Sequence, residues 1–214
     1  MSEFISVVSR PLTQSEMETN AAYIYNYLGS KGWTPNAVAG LLGNLEAEST
    51  INPGRYQGDD PSGAGWGLAQ WTPKSKYTNW CDERGLVWHH MDSALQRIEW
   101  EMENGEQFYA TDEYNITFKQ FAKSEKEPYW LGAAFLCNYE RPASVLYDPD
   151  SETYEEHLAK KAKATAARGN NANEWYEYLT GLPAPEMPGT DTKKRKGMSL
   201  LLMYLATRRR SNVV

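Results

Sequence analysis

The amino-acid sequence predicts a mainly α-helical fold of the α+β class, with one small β element in a glycine-rich loop. Capping motifs precede several segments in which apolar residues recur at helical spacing. Residues 54–71 have a different character, because they hold five glycines and one proline. The chain of 214 residues is 41% hydrophobic and 23% charged, which is ordinary globular usage and excludes a disordered chain.

The first two helices are predicted from their caps. Thr13-Gln-Ser-Glu16 has the form of a capping box, and apolar residues follow it at helical spacing. Thr34-Pro35 supplies an N-cap and a proline at the first helical position of the second helix. Asn52-Pro53-Gly54 cannot continue a helix, so the second helix should end at about Glu48 or Ser49.

The remaining elements are predicted in chain order. Residues 54–71 read as a mobile loop followed by a short strand or β-hairpin that ends at Trp71. Further helices are expected to open at Thr72-Pro73, at Asp92 or Ser93, near Thr117–Lys123, at Pro128, and over residues 151–168 and 173–179.

Charge, together with proline and glycine content, divides the chain into three parts. The net charge is −6, but residues 193–214 carry seven basic residues and no acidic ones, which leaves −13 on residues 1–192. We therefore predict one folded domain over residues 1–182, a Pro/Gly linker over 183–192 and a basic, partly apolar tail over 193–214. An acidic body argues against a general nucleic-acid binder.

The sequence predicts neither a secretory signal nor a transmembrane helix. The first thirty residues contain Glu3, Glu16 and Glu18 and no continuous apolar run with a small-residue cleavage site. The longest apolar run, 198–206, is far shorter than the ~20 residues that a membrane-spanning helix needs.

Two carboxylates near the end of the second helix are the first candidates for chemistry. At about 100° per residue, both Glu46 and Glu48 flank the buried face, so periodicity does not choose between them. Burial and the negative end of the helix dipole both disfavour a carboxylate there and raise its pKa. A raised pKa suits a general acid, although a solvated glutamate pair at a helix end fits the spacing too.

The order of the motifs resembles a known family. Glu48-Ser49 at a helix end, then Gly67-Leu-Ala-Gln70, then Tyr139-Glu-Arg-Pro142 resemble the lysozyme-like fold. More closely, they resemble the phage tail lysozyme family, cell-wall-degrading domains carried at the tips of phage tails. The matching segments, which lie within roughly residues 13–181, are Tyr27-Leu28, Gly32-Trp33-Thr34, Glu48 to Gly54, Gly67 to Pro73, Met91-Asp-Ser93 and Trp175-Tyr176.

The resemblance implies cleavage of the β-1,4 bond between N-acetylmuramic acid and N-acetylglucosamine in peptidoglycan. Glu48 matches the catalytic glutamate and would be the general acid that protonates the leaving oxygen. Ser49 would orient Glu48 or touch the acetamido group of the sugar. Gln70 and Trp71 would line the groove on the hairpin side, with Tyr139 on the opposite wall.

The second carboxylate stays open at this point. Asp59 or Asp60 could serve as the base of an inverting hydrolase, although Asp59-Asp60-Pro61-Ser62-Gly63 is also a plain turn sequence. Without a base, a lytic transglycosylase route is open, in which one glutamate acts as acid and then as base. Glu140-Arg141 is interpreted as a structural ion pair at a helix end rather than a catalytic pair, although Glu140 directly follows Tyr139, a predicted groove residue.

No metal site and no cofactor are predicted. His89-His90 with Asp92 suggests metal ligands, but adjacent loop residues rarely bind one ion together. No cysteine or further histidine lies at ligand spacing.

The expected setting is a phage virion, with the enzyme in the tail and acting on the host cell wall. The partners would be peptidoglycan glycan strands and a tail or assembly protein docked by residues 193–214. That segment also has the form of an interfacial stretch on an anionic membrane. Contact with packaged nucleic acid is a further option, although no specific nucleic-acid site is predicted. A non-catalytic peptidoglycan-binding module, or the same chemistry in a bacterial conjugation or secretion apparatus, are the alternatives.

Overall fold

The computed structural model describes residues 3–8 and 10–186. Helices dominate these residues, which confirms the mainly α prediction. The α-helices are α1 (Gln14–Ser30), α2 (Pro35–Ser49), α3 (Ser75–Asp82), α4 (Met91–Asn104), α5 (Phe118–Ala122), α6 (Pro128–Phe135) and α7 (Tyr154–Thr180). A 3₁₀ turn spans Gln57–Asp59, and a π-helical turn over Leu136–Glu140 continues α6.

The predicted caps of α1 and α2 are confirmed. Thr13 and Glu16 form the reciprocal capping box, with the Thr13 amide donating to the Glu16 carboxylate at 2.8 Å. The Thr34 hydroxyl accepts a hydrogen bond from the Ala37 amide at 3.1 Å. These bonds satisfy amide groups that have no partner inside the first turn of a helix.

The end of α2 is abrupt. Thr50 and Ile51 both have left-handed backbone conformations, with φ of 56° and 55°. Their amides bond back to the Glu46 and Leu45 carbonyls at 2.8 and 3.1 Å, which closes the helix. A β-branched residue in this conformation is strained, so the surrounding packing must hold it, and Ile51 is fully buried. The chain therefore turns away directly after Glu48 and Ser49.

The N-terminal segment holds the turn after α2. The Asn20 side chain donates to the Ile5 carbonyl and accepts from the Ile5 amide, at 2.8 and 2.7 Å. Asn52 makes the same pair of bonds to Val7, at 2.7 and 3.2 Å. Two buried side-chain amides thus act as partners for an extended segment and tie it to the residues that follow α2.

The predicted β-hairpin is wrong. Between Gly54 and Trp71, a stretch that the structure describes completely, there is no strand, and only two isolated antiparallel bridges join Tyr56 to Trp66 and Trp66 to Trp71. Positive φ angles interrupt the extended backbone on both sides of these bridges, at Gly58 (67°), Asp59 (58°), Gly67 (76°) and Gln70 (48°). A ladder cannot propagate through such residues, so the segment is an irregular loop.

Two helix predictions also change. α3 begins at Ser75 rather than at Thr72-Pro73, and the two predicted C-terminal helices form the single helix α7. Gly169 lies inside α7, where a glycine weakens a helix by about 1 kcal/mol relative to alanine. The Tyr129 ring of α6 packs directly against Gly169, since an added Cβ would lie 2.5 Å from that ring. Packing on α6 thus outweighs the low helix propensity of this stretch.

The centre of the domain is a close packing of α2, α6 and α7. A Cβ on Gly43 of α2 would lie 2.7 Å from both the Ala172 amide nitrogen and the Arg168 carbonyl oxygen of α7. A Cβ on Gly132 of α6 would lie 2.5 Å from the same Arg168 oxygen. Because two glycines let these backbones approach, Arg168 is held where its side chain reaches the end of α2.

The remaining predictions on domain boundaries fall partly outside the described residues. Pro185, near the start of the predicted linker, packs against Gly29 of α1. Residues 187–192 of that linker and the basic tail over 193–214 lie outside the described residues. Over residues 3–8 and 10–186, no helix combines the length and the apolar character needed to cross a membrane.

Candidate active site

A polar cavity of about 420 Å³ opens between the end of α2, the loop over residues 55–72 and the π-helical turn. Four of its lining residues are charged and three carry amides, and they are Glu48, Arg55, Lys76, Glu140, Gln57, Gln70 and Gln107. Acidic groups come from the helical side, and Arg55 and Lys76 come from the loop and α3. The lining therefore offers hydrogen-bond donors and acceptors around two carboxyl groups.

Glu48 occupies the last turn of α2 and lines the cavity. Its side chain is 24% exposed, and its Oε1 accepts a hydrogen bond from Nη2 of Arg168 at 3.2 Å. Burial raises the pKa of Glu48 above its ordinary value, and the Arg168 charge and hydrogen bond oppose this only in part. Glu48 thus has the environment of a carboxylic acid that holds its proton to higher pH than an ordinary glutamate.

The structure separates the two glutamates that periodicity left equivalent. The Glu46 carboxylate accepts a hydrogen bond from the Trp175 indole of α7 at 2.8 Å and does not line the cavity. Its role is to fasten α2 to α7. Of the two, Glu48 alone faces the cavity.

Glu140 is a cavity residue that the sequence does not predict. The sequence suggests an ion pair with Arg141, but the Arg141 guanidinium lies over the Tyr109 ring, 4.5 Å from its centroid. Glu140 instead lines the cavity, and its Oε1 is shielded from solvent and has no hydrogen-bond partner among the described residues. Burial, then the nearby Glu48 charge, hold the pKa of Glu140 well above its ordinary value. The sequence signal that could have found it is its place next to Tyr139, a predicted wall residue.

Trp71 and Tyr139 line the cavity but have little exposed surface. Trp71 is 5% exposed and Tyr139 is 1% exposed. The Trp71 indole and the Tyr139 hydroxyl both donate to the carboxylate of Glu101, at 3.0 and 2.5 Å. Arg97 donates to the same carboxylate at 2.8 Å. The two predicted groove residues thus form the floor of the cavity and are held by a buried acid rather than standing out as stacking surfaces.

Gln70 and Ser49 have different places. Gln70 lines the cavity, and its side-chain amide donates to the Gly67 carbonyl at 2.8 Å, which fixes the turn before Trp71. Ser49 is fully buried outside the cavity lining. Its hydroxyl donates to the Leu68 carbonyl at 2.7 Å and so ties the end of α2 to the loop. This bond positions the helix end that carries Glu48.

The two loop aspartates do not line the cavity. The Asp59 carboxylate accepts two hydrogen bonds from the Arg55 guanidinium, at 2.9 and 3.1 Å, and this pairing lowers the pKa of Asp59. Asp60 accepts from the Ser62 amide at 2.8 Å, which is a turn contact. The structure thus brings Glu140, rather than either aspartate, into the cavity with Glu48.

Of the adjacent histidines His89 and His90, the second has a structural role as a helix cap. His90 caps α4, where its Nδ1 accepts a hydrogen bond from the Asp92 amide at 3.3 Å. Across residues 3–8 and 10–186, no group of three or more His, Cys, Asp or Glu side chains has the arrangement of a metal site.

Comparisons with known proteins agree with this arrangement. Residues 19–179 match the family model of the phage tail lysozyme, and this range includes every cavity residue and Arg168. Morphogenesis protein 1 of Bacillus phage B103 is 45% identical over 172 residues, which are 79% of this chain. The chain spans 42% of the length of that relative. As the order of its motifs predicted, the chain belongs to the phage tail lysozyme family.

Proposed function

We propose that the domain is a muramidase, which cleaves the β-1,4 bond between N-acetylmuramic acid and N-acetylglucosamine in peptidoglycan, with Glu48 as the general acid. The observation that carries the proposal is a glutamate with a raised pKa at a helix end, facing a polar cavity. Family membership supports the substrate class. No cofactor enters the proposed reaction.

In the proposed step, the proton of the Glu48 carboxyl group passes to the glycosidic oxygen as the bond to the anomeric carbon breaks. Positive charge then develops on the sugar ring, and the carboxylate left on Glu48 stabilises it. Water adds its hydroxyl to the anomeric carbon, and its remaining proton passes to the Glu48 carboxylate, which restores the acid. A raised pKa matters because an acid already ionised at working pH cannot start the reaction.

Substrate binding is assigned to the polar wall opposite the carboxyl groups. Gln57, Gln70 and Gln107 present amides to the cavity, and Arg55 and Lys76 present cations. Such groups pair with the hydroxyl and acetamido groups of a glycan strand. Asp59 holds the Arg55 side chain in place through its double hydrogen bond.

The test is clearing of a purified cell-wall suspension by the wild type, Glu48→Gln and Glu46→Gln. Loss of a general acid costs typically 10²–10⁴-fold in rate, so Glu48→Gln should fall by about that factor. Glu46→Gln is the matched control, because glutamine keeps an acceptor for the Trp175 indole. Equal clearing by the wild type and Glu48→Gln overturns the proposal.

Mass spectrometry of the released fragments distinguishes hydrolysis from the transglycosylase route. A muramidase releases reducing ends, whereas a lytic transglycosylase releases 1,6-anhydro ends from the same bond. If the wild type clears nothing but still sediments with walls, the domain is a binding module and the enzymatic proposal fails.

The proposed setting is the phage tail, with local opening of the host cell wall. The named relative is a phage morphogenesis protein, which supports association with the particle. We propose that residues 1–182 form the catalytic domain, 183–192 a linker, and 193–214 the segment that docks onto a tail or assembly protein. Removing 193–214 should leave wall clearing unchanged and abolish incorporation into particles. Binding of the full chain to anionic vesicles, lost on the same removal, would assign the segment to a membrane surface instead.

A further inference from the structure

Two carboxyl groups from different parts of the chain face one cavity. Glu48 comes from the end of α2, and Glu140 comes from the end of the π-helical turn. Glu48 is paired with Arg168, whereas Glu140 has no ion pair among the described residues. The cluster therefore has two potential negative charges and one positive charge, and that positive charge is bonded to Glu48.

Two buried atoms of this cluster lack partners. In the described residues, the shielded polar side-chain atoms without a hydrogen bond include Oε1 of Glu140 and Nε of Arg168, and these are the two that belong to charged side chains. A buried unpaired carboxylate is costly, and the cost falls when the group keeps its proton. Such groups persist where the surroundings hold them for a function.

The charges around Glu140 do not remove this cost. The positive charge of Arg168 on α7 favours an ionised Glu140, but Arg168 is already bonded to Glu48. Glu101 on α4 adds further negative charge near Glu140, and the neighbouring Arg97 is bonded to Glu101. The Tyr139 hydroxyl, on the same turn as Glu140, is committed to Glu101.

Across the cavity, Arg55 is held by Asp59, and Lys76 is exposed at the opening. Ionising both carboxyl groups would therefore leave one negative charge without a close partner. As a result, the pair should lose its two protons in two well separated steps.

Resting on the proposed general-acid role of Glu48, we propose that Glu140 is a positioning residue that shares one proton with Glu48 across their common cavity, so that the pair keeps a proton for Glu48 to donate at neutral pH. Through this interaction, Glu140 sets the upper end of the pH range in which the enzyme works. It acts through Glu48 and does not itself touch the substrate.

The direct test is a titration of the Glu48 carboxyl carbon by ¹³C NMR in the full chain. In the wild type, the Glu48 signal should move in two steps, because each step belongs to the pair. In Glu140→Gln, the upper step should vanish and leave a single step at lower pH, because the neighbouring negative charge is removed. Glu140→Asp keeps a carboxyl group and should restore two steps, and Glu46→Gln should behave as the wild type.

A single Glu48 step in the wild type overturns the proposal, and this measurement needs no variant to fold. A Glu48 titration that is the same in Glu140→Gln as in the wild type also overturns the proposal. Neither readout depends on catalysis, so the result is independent of whether the domain cleaves peptidoglycan.

The pH profile of wall clearing is the second readout. Loss of Glu140 should move the alkaline limb to lower pH by the interval that NMR shows, because the limb follows loss of the last proton from the pair. A lower rate with an unmoved limb would make Glu140 a structural residue and overturn the proposal. A wild type without wall clearing, or an active Glu48→Gln, is instead a failure of the proposed function.

Discussion

Arg168 reaches Glu48 from 120 residues away in sequence, with Nη2 3.2 Å from Oε1. The contact joins the middle of α7 to the last turn of α2, where both side chains are about one-fifth to one-quarter exposed. It opposes the effect of burial on the pKa of Glu48. Arg168 is thus the residue that limits how strongly the proposed acid holds its proton.

Replacing Arg168 with glutamine should raise the pKa of Glu48, because the cation that favours the carboxylate is removed. The alkaline limb of the wall-clearing profile should move to higher pH, the direction opposite to that of Glu140→Gln. Lys160→Gln is the control on the same helix, since Lys160 bonds to Glu152 away from the cavity. An alkaline limb that moves to lower pH, or does not move, would show that Arg168 does not act on Glu48.

The pH dependence of folding should also report the buried carboxyl groups. Glu48, Glu101 and Glu140 all have pKa values raised by burial. Between the unfolded and folded pKa values of such an acid, the folded state binds more protons, so the free energy of unfolding falls as pH rises.

We expect urea unfolding at pH 5 and pH 8 to show this fall in the wild type and a smaller fall in Glu140→Gln. Glu46→Gln is the control, because Glu46 lies outside the cavity and glutamine keeps an acceptor for the Trp175 indole; its stability should fall with pH as that of the wild type does. An identical pH dependence in Glu140→Gln and wild type would mean that Glu140 titrates as an ordinary glutamate.

The bond from Ser49 to Leu68 should contribute to stability. Ser49→Ala removes the hydroxyl that donates to the Leu68 carbonyl at 2.7 Å and leaves that oxygen without this partner. An unsatisfied buried acceptor costs about 1–3 kcal/mol, and urea denaturation should show a loss of that size. Ser75→Ala, at an exposed serine in the first turn of α3, is the control. A loss no larger than that of the control would remove the proposed tie between α2 and the loop.

Gly43 should not tolerate a side chain. In Gly43→Ala, the new Cβ would lie 2.7 Å from backbone atoms of both Arg168 and Ala172, which cannot move as a flexible side chain would. Overpacking of this kind costs typically 1–3 kcal/mol, so the thermal midpoint should fall by several degrees.

Gly181→Ala is the matched control for Gly43→Ala. Gly181 has a right-handed helical conformation at the end of α7, and an added Cβ would lie no closer than 3.3 Å to its nearest neighbour, the Tyr178 carbonyl oxygen. An alanine there should be neutral or slightly stabilising, by about 0.4–1 kcal/mol. Equal losses in the two variants would show that the contact between α2 and α7 is looser than the structure has it.

The sequence predicted the elements whose signals are local. Thr13 and Thr34 cap α1 and α2 as expected, because a cap depends on residues within one turn. The continuity of α7 was not predictable in this way, since Gly169 is kept helical by the Tyr129 ring of another helix. The hairpin failed for a related reason, because non-glycine residues such as Asp59 and Gln70 have left-handed conformations that their residue types do not indicate.

By itself, the sequence determined a mainly helical domain and its family, and through the family motif it indicated Glu48, although helical periodicity left Glu46 and Glu48 equivalent, because caps, spacing and motif order lie within short stretches of chain. Only the tertiary structure decided that Glu48 faces the cavity while Glu46 bonds to Trp175, and that Glu140 joins Glu48 there. A helical period places both glutamates at the edge of one face, and the direction each takes depends on the helix that packs beside it. That helix, α7, is brought to α2 by contacts between residues more than a hundred positions apart.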